Sequence, residues 1–146
     1  MSDAFSKITA ILLCVFMMYI IPVFYLREES NRAKQTYILE EVTGFVDGAR
    51  NTGILSSDEY AKLENILFSL GGGYTIEITH CTHMHDKSGE KTEYFESINY
   101  TPQILQAFAN EDVYFMGKND YVRVVVYDVQ KSIVAWYGGS VRYEAY

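Results

Sequence analysis

Positive charge is scarce in this sequence of 146 residues, and the scarcity excludes one large class of function. The chain has 12 Lys and Arg residues against 19 Asp and Glu residues, and the basic residues form no cluster. Nucleic-acid binding depends on concentrated cationic side chains that displace counterions from phosphates. We therefore expect no nucleic-acid partner.

Cysteines and catalytic motifs are equally scarce. The two cysteines, Cys14 and Cys81, cannot build the disulfide framework of a small secreted domain. The three glycines of 71–73 follow a predicted helix instead of preceding one, so they do not form a phosphate-binding loop. No spacing of Ser, His and Asp residues indicates a nucleophile elbow or a catalytic triad. We predict that the protein is not an enzyme.

The sequence does contain a long apolar run, Ile8–Leu26, of 19 residues without a charge. A helix of that length nearly crosses a hydrocarbon core of roughly 30 Å. A cleaved secretory signal and the core helix of a soluble protein are the alternatives. Large and charged residues, Phe24 to Glu28, end the run where a signal peptide would have small ones. We predict a retained membrane anchor over residues 1–26, in the cell membrane.

The orientation of this anchor follows less directly from charge. Lys7 precedes the run, whereas Arg27, Arg32 and Lys34 follow it, and a count of Lys and Arg places the following segment in the cytoplasm. Only seven residues precede the run, however, which leaves no folded part on that side. We therefore expect an extracytoplasmic C-terminal head.

Residues 27–52 are predicted to continue the same helix as a stalk. Apolar residues recur there at helical spacing, at Ile38, Val42, Phe45, Val46 and Ala49. An apolar stripe of this kind is stable when another element buries it, and either the protein's own head or a neighbouring subunit could do so.

Residues 53–146 are predicted to form an α+β head with a mainly antiparallel sheet packed on helices. Ser56 and Glu59 have capping-box spacing before a helix over about 57–70, and Thr101 is the expected cap of a second helix. Alternating β-branched and aromatic residues predict strands at these approximate ranges: 74–85, 92–100, 113–116, 121–128 and 132–137.

One segment, His80 to Asp86, has residue types that bind metals. On a strand, Cys81, His83 and His85 share one face, while His80 lies on the other. Thiolate and imidazole groups suit zinc or copper. Residues two apart on a strand lie roughly 6–7 Å apart, which is wide for a tetrahedral site. An exposed polar strand end is therefore the alternative, and no resident cofactor is predicted.

Tyrosine is abundant, with 13 residues in the chain. A tyrosine-rich surface can supply contact area for other subunits, because each ring is apolar and each hydroxyl is polar. The candidates are Tyr94, Tyr100, Tyr114, Tyr121, Tyr143 and Tyr146. The alternative is that most of them cover the edges of a small core.

Several short motifs carry a resemblance to a known family. They are Phe45-Val46-Asp47 with Ala49-Arg50 and Thr52-Gly53, the strand from Tyr74 to His80, and the run Tyr137-Gly138-Gly139-Ser140-Val141-Arg142. Together they resemble small single-pass proteins encoded with tight-adherence (Tad-like) pilus systems of Gram-positive bacteria, which are related in layout to pilins and pseudopilins.

The resemblance implies a structural component of a pilus-like or secretion assembly, with a pilin-like head and other pilin-like subunits or copies of itself as partners. A prepilin has a processing glycine and an early glutamate in its apolar helix. Residues 1–7 contain no glycine and Ile8–Leu26 contains no acid. This departure favours an accessory or minor component, held in the membrane or in a surface filament. A membrane-anchored extracytoplasmic binding or sensing module is the alternative.

Overall fold

A computed structural model of the chain describes residues 2–86 and 93–142, with the side chains of residues 3–82 and 97–142. Helix α1 runs from Ser2 to Thr52 without interruption and contains Pro22. The stalk therefore continues the apolar helix, as predicted. Gly53 ends the helix, because its φ of +73° is a left-handed conformation that favours glycine.

The chain divides into two compact units, Met1–Thr36 and Tyr37–Tyr146. In the first unit, the large apolar side chains of Ile8–Leu26, Ile20 apart, are 49 to 82% exposed. This helix is long and apolar enough to cross a membrane.

The second unit is α+β and holds the hydrophobic core. All five residues of the predicted stripe are buried: Ile38, Val42, Phe45, Val46 and Ala49. They belong to one cluster with Ile78 and Val124 of the sheet. The stripe is therefore buried by the protein's own head and not by a neighbouring subunit.

The main sheet has four strands in the order β3-β2-β5-β6, all antiparallel. Their bounds are β2 Thr75–Asp86, β3 Glu93–Tyr100, β5 Tyr121–Tyr127 and β6 Ile133–Ser140. Alternation directs Ile78, Val122 and Val124 into the core. The opposite face, which we call the outer face, includes Cys81 and Trp136.

A second, two-stranded sheet joins β1 (Ile54–Ser56) to β4 (Val113–Phe115). The sequence analysis did not predict β1, because three residues are too few to show alternation. Met116, directly after β4, donates its backbone N–H to the carbonyl of Gly53, directly after α1, at 2.8 Å. The pairing therefore places the end of α1 beside the end of β4.

Helices α2 (Ser57–Ser69) and α3 (Thr101–Glu111) lie where they were predicted. Ser56 is the N-cap residue of α2, as predicted, but its side chain makes no capping hydrogen bond. The predicted cap of α3 was wrong. Tyr100, not Thr101, is the N-cap residue of α3, and Gln103 Oε1 accepts from its backbone N at 2.7 Å. The Thr101 hydroxyl instead accepts from Ile78 N at 2.8 Å, because α3 packs beside β2.

Candidate functional site

The most elaborate polar arrangement in the head centres on His80, which lies on the inner face of β2 and is 3% exposed. Its Nε2 lies 2.9 Å from Asp120 Oδ2, and its Nδ1 lies 2.8 Å from the Tyr114 hydroxyl. Asn99 Nδ2 donates to the same hydroxyl at 2.8 Å. The four side chains come from β2, β3, β4 and the residue directly before β5, so the network joins both sheets.

Hydrogen-bond accounting assigns the protons in this network. The Tyr114 oxygen accepts from Asn99, so its own hydrogen is available for His80 Nδ1. His80 Nε2 then carries the imidazole proton and donates it to Asp120. This neutral tautomer satisfies every group, whereas a doubly protonated ring would leave the Tyr114 hydrogen without an acceptor inside the network.

Asp120 holds the turn between β4 and β5. Its Oδ2 accepts from Gly117 N at 2.7 Å as well as from His80, and the Thr82 hydroxyl lies 3.4 Å away. Its backbone O accepts from Val141 N at 2.7 Å, and Val141 O accepts from Asn119 N at 3.0 Å. The turn and the residue after β6 are thus fixed together.

The chemical order of the groups, phenol, imidazole and carboxylate, is that of a proton relay. Burial raises the pKa of Tyr114; the hydrogen bond from Asn99 acts in the opposite direction, and the charge of Asp120 raises the pKa further. An activated phenolate nucleophile requires a lowered pKa. The hydrogen bonds of the network join β2, β3, β4 and the turn before β5, so they fix these elements relative to one another.

The predicted metal ligands are only partly within the described side chains. Cys81 is half-buried on the outer face, opposite Tyr121 of β5 and Ile98 of β3. The side chains of His83 and His85 lie outside the described residues. Among the side chains that are described, no three His, Cys, Asp or Glu residues are placed to hold a metal ion. The zinc or copper site stays a prediction.

A second polar cluster joins the end of α1 to β6. Arg50 Nη1 donates to Asp47 Oδ1 at 2.7 Å and Arg50 Nε donates to Ser140 O at 2.9 Å. The Tyr137 hydroxyl lies 3.3 Å from both Arg50 Nη1 and Asp47 Oδ1. The backbone adds a bond, because Arg142 N donates to Arg50 O at 2.8 Å. Two of the motif segments singled out in the sequence therefore meet in space.

Two strongly exposed apolar side chains of the head line a pair of adjoining hollows. The hollows, of about 310 and 270 Å³, share Gly72, Gly73 and Tyr74. Phe68, at 82% exposure, lines one of them, and Val129, at 78%, lines the other. Such hollows can receive the anchoring side chains of a partner.

Sequence reasoning missed the His80 network. An exposed strand end was expected for this segment, but His80 is buried, and Tyr114 was counted among surface tyrosines although it is half-buried and bonded to His80. The available signal was position: His80 follows Ile76 and Ile78 at period two on the inner face.

No family model, curated protein or solved structure matches this chain.

Proposed function

We propose that this protein is an accessory, minor pilin-like subunit of a Tad-like pilus or secretion assembly at the cell surface. Residues Ile8–Leu26 of α1 lie in the membrane, and the head is extracytoplasmic. The partners are other pilin-like subunits or further copies of the chain, and the proposal assigns no enzymatic activity.

One observation carries the proposal. A single helix, α1, exposes nearly all of its large apolar side chains over Ile8–Leu26 and buries its last apolar residues in the core of the head. The exposed part requires an apolar environment, which a bilayer or a bundle of similar helices supplies.

The anchor is tested by extraction of membranes with alkaline carbonate. We expect the protein to stay in the membrane pellet. Val15→Arg places a charge in the middle of the run, at a cost of about 2.5–3.5 kcal/mol on insertion scales. Less of this variant should therefore stay in the membrane pellet. Asn31→Arg adds the same charge outside the run and should leave extraction unchanged. Release of the unaltered protein by carbonate would refute the anchor.

The assembly is tested by scanning single cysteines through positions 11–18 in a background with Cys14→Ser and Cys81→Ser. Packed helices bring the same face together, so we expect oxidative cross-links in native membranes at every third or fourth position. Cross-links at none of the eight positions would refute assembly between copies of this chain through α1. Recovery of the protein in sheared surface filaments would place it in a pilus.

A membrane-anchored binding module is the second candidate, and the two hollows beside Phe68 and Val129 favour it. The binding-module hypothesis predicts that the protein stays in the membrane pellet after carbonate extraction but forms no cross-links in the cysteine scan. The two experiments together therefore separate the candidates.

A further inference from the structure

The edge strand β6 differs from the other edge of the main sheet. Its sequence, IVAWYGGS, has neither charge nor proline over eight residues. The opposite edge strand, β3, carries Glu93 and Glu96. Charged residues on edge strands discourage pairing with other chains, and β6 has none.

Within the part of the chain that the structure describes, contacts protect the two ends of β6. At its start, the register with β5 is irregular beside Tyr127, where Val134 has no partner. At its end, Ser140 O accepts from Arg50, and Arg142 N donates to Arg50 O. Between these points, residues 135–139 pair with β5 and with no other described strand. A central stretch of backbone is thus left open on one side.

The side chains beside this stretch suit an apolar neighbour. Trp136, opposite Val125 on the outer face, is 58% exposed. Gly138 and Gly139 carry no side chains of their own, although the Tyr121 hydroxyl lies beside Gly138 and the Arg50 guanidinium, paired with Asp47, covers one face of Gly139. The residues of β6 itself present one aromatic ring, two glycines and no charge to an approaching strand.

We propose that the open edge of β6 binds an extended segment of a partner protein, uncharged over about six residues and flanked by Lys or Arg, which adds a fifth strand to the sheet. Backbone hydrogen bonds provide the affinity, and an apolar side chain at alternate positions packs on Trp136. The inference goes beyond the proposed function, because an assembly subunit and a lone binding module could both use this edge.

Charge selects the partner. Residues 37–146 include 16 Asp and Glu residues and 8 Lys and Arg residues, so two heads repel each other. A second copy of the chain is therefore disfavoured at this edge, and an anionic membrane surface is disfavoured for the same reason. A neutral strand with cationic flanks meets a neutral edge on an acidic head.

The test uses the full chain in nanodiscs that hold one copy each. The probe is a synthetic peptide copying β5, Tyr121–Tyr127, because β5 is the strand with which β6 already pairs. Thr replaces Arg123 in the peptide, and two lysines flank each end. We expect saturable binding and slower amide hydrogen exchange at residues 134–139, with no change at residues 121–127.

Two matched controls identify the edge as the site. Trp136→Lys adds a charge beside the open backbone and should weaken binding at least tenfold, whereas Val129→Lys, at an even more exposed apolar position outside β6, should not. In the peptide, Val124→Pro removes a backbone donor and should abolish binding while the protein stays unaltered.

Five outcomes would overturn the proposal. Four are the absence of saturable binding, equal binding by Trp136→Lys and the unaltered chain, binding of the proline peptide, and exchange that slows at residues 121–127, which would indicate displacement of β5. The fifth is protection of residues 134–139 in concentrated protein without peptide, which would make a second copy the occupant. None of these readouts depends on the cysteine scan, so the two proposals can fail separately.

Discussion

The guanidinium of Arg50 lies across the backbone of Gly139, so close that a Cβ atom there would be 2.6 Å from Arg50 Cζ. The φ of Gly139 is not left-handed, so space rather than backbone conformation requires glycine here. Asp47 and Ser140 hold the guanidinium in place through bonds of 2.7 and 2.9 Å. Arg50 and Gly139 are thus two halves of one contact between α1 and β6.

Gly139→Ala should therefore destabilise the head. The added methyl group displaces Arg50, and the hydrogen bonds to Asp47 and Ser140 are lost or distorted, at about 1–3 kcal/mol. Urea denaturation of the full chain in detergent measures the change. In an Arg50→Ala background, the same substitution should cost less than about 1 kcal/mol, because the displaced group is absent. Equal costs in both backgrounds would contradict the contact.

Gly44→Ala should have the opposite effect. Gly44 is exposed in the middle of α1, and a Cβ atom there has no heavy atom within 4 Å. Alanine restricts the unfolded chain and favours the helix, so the free energy of unfolding should rise by about 0.5–1 kcal/mol. A loss of stability would indicate that another molecule needs this glycine.

Phe45→Ala tests whether the apolar stripe of α1 belongs to the core. Phe45 is 8% exposed within the core cluster, so its truncation should cost about 3–5 kcal/mol. Leu39, on the same helix but 43% exposed, is the control, and Leu39→Ala should cost less than about 1 kcal/mol. Similar small costs for both variants would mean that the head does not depend on this stripe.

Tyr114→Phe tests the network around His80. The substitution removes the donor to His80 Nδ1 and the acceptor of Asn99 Nδ2, and leaving such groups unpaired costs about 1–3 kcal/mol. Tyr121→Phe removes the hydroxyl of an exposed tyrosine on the outer face and should change stability by less than about 0.5 kcal/mol. Thermal melts of both variants make the comparison.

The raised pKa of Tyr114 predicts a loss of stability in alkali. A folded-state pKa above the unfolded value, about 10 for tyrosine, means that folding favours the protonated phenol. Its contribution is complete below that unfolded value and disappears as pH rises through the folded one. Tyr60, whose pKa is raised by burial and by Glu64, acts in the same direction. Between pH 9 and 11, stability should fall less steeply for Tyr114→Phe than for the unaltered chain, and parallel curves would count against this explanation.

The local pattern of the sequence predicted what depends on local chemistry. The stripe from Ile38 to Ala49 identified the buried face of α1, and the alternation after Tyr74 identified β2. The predicted end of β6 at Tyr137 was three residues short, since two glycines normally weaken a strand. Here Arg50 covers Gly139 and the hydroxyl of Tyr121 lies beside Gly138, so neighbours supply the contacts that the glycines lack.

The polar networks could not be predicted, because their members are distant in the chain. Asp120 lies 40 residues after His80, and Ser140 lies 90 residues after Arg50. Periodicity places each residue on a face but does not say which strands become neighbours. His80 could therefore be assigned to one face of β2, whereas its pairing with Asp120 required β5 to lie beside β2, and its pairing with Tyr114 required the position of β4 in the second sheet.

The bond between Arg50 and Ser140 closes a loop of 90 residues. The core that the stripe of α1 enters also contains Ala135 of β6 and Val141 directly after it. Contacts so far apart in sequence close late in folding, because the ends of a long loop must meet. We therefore expect the stripe of α1 to be completely covered only after β6 has docked, so that a partly folded chain exposes some of it.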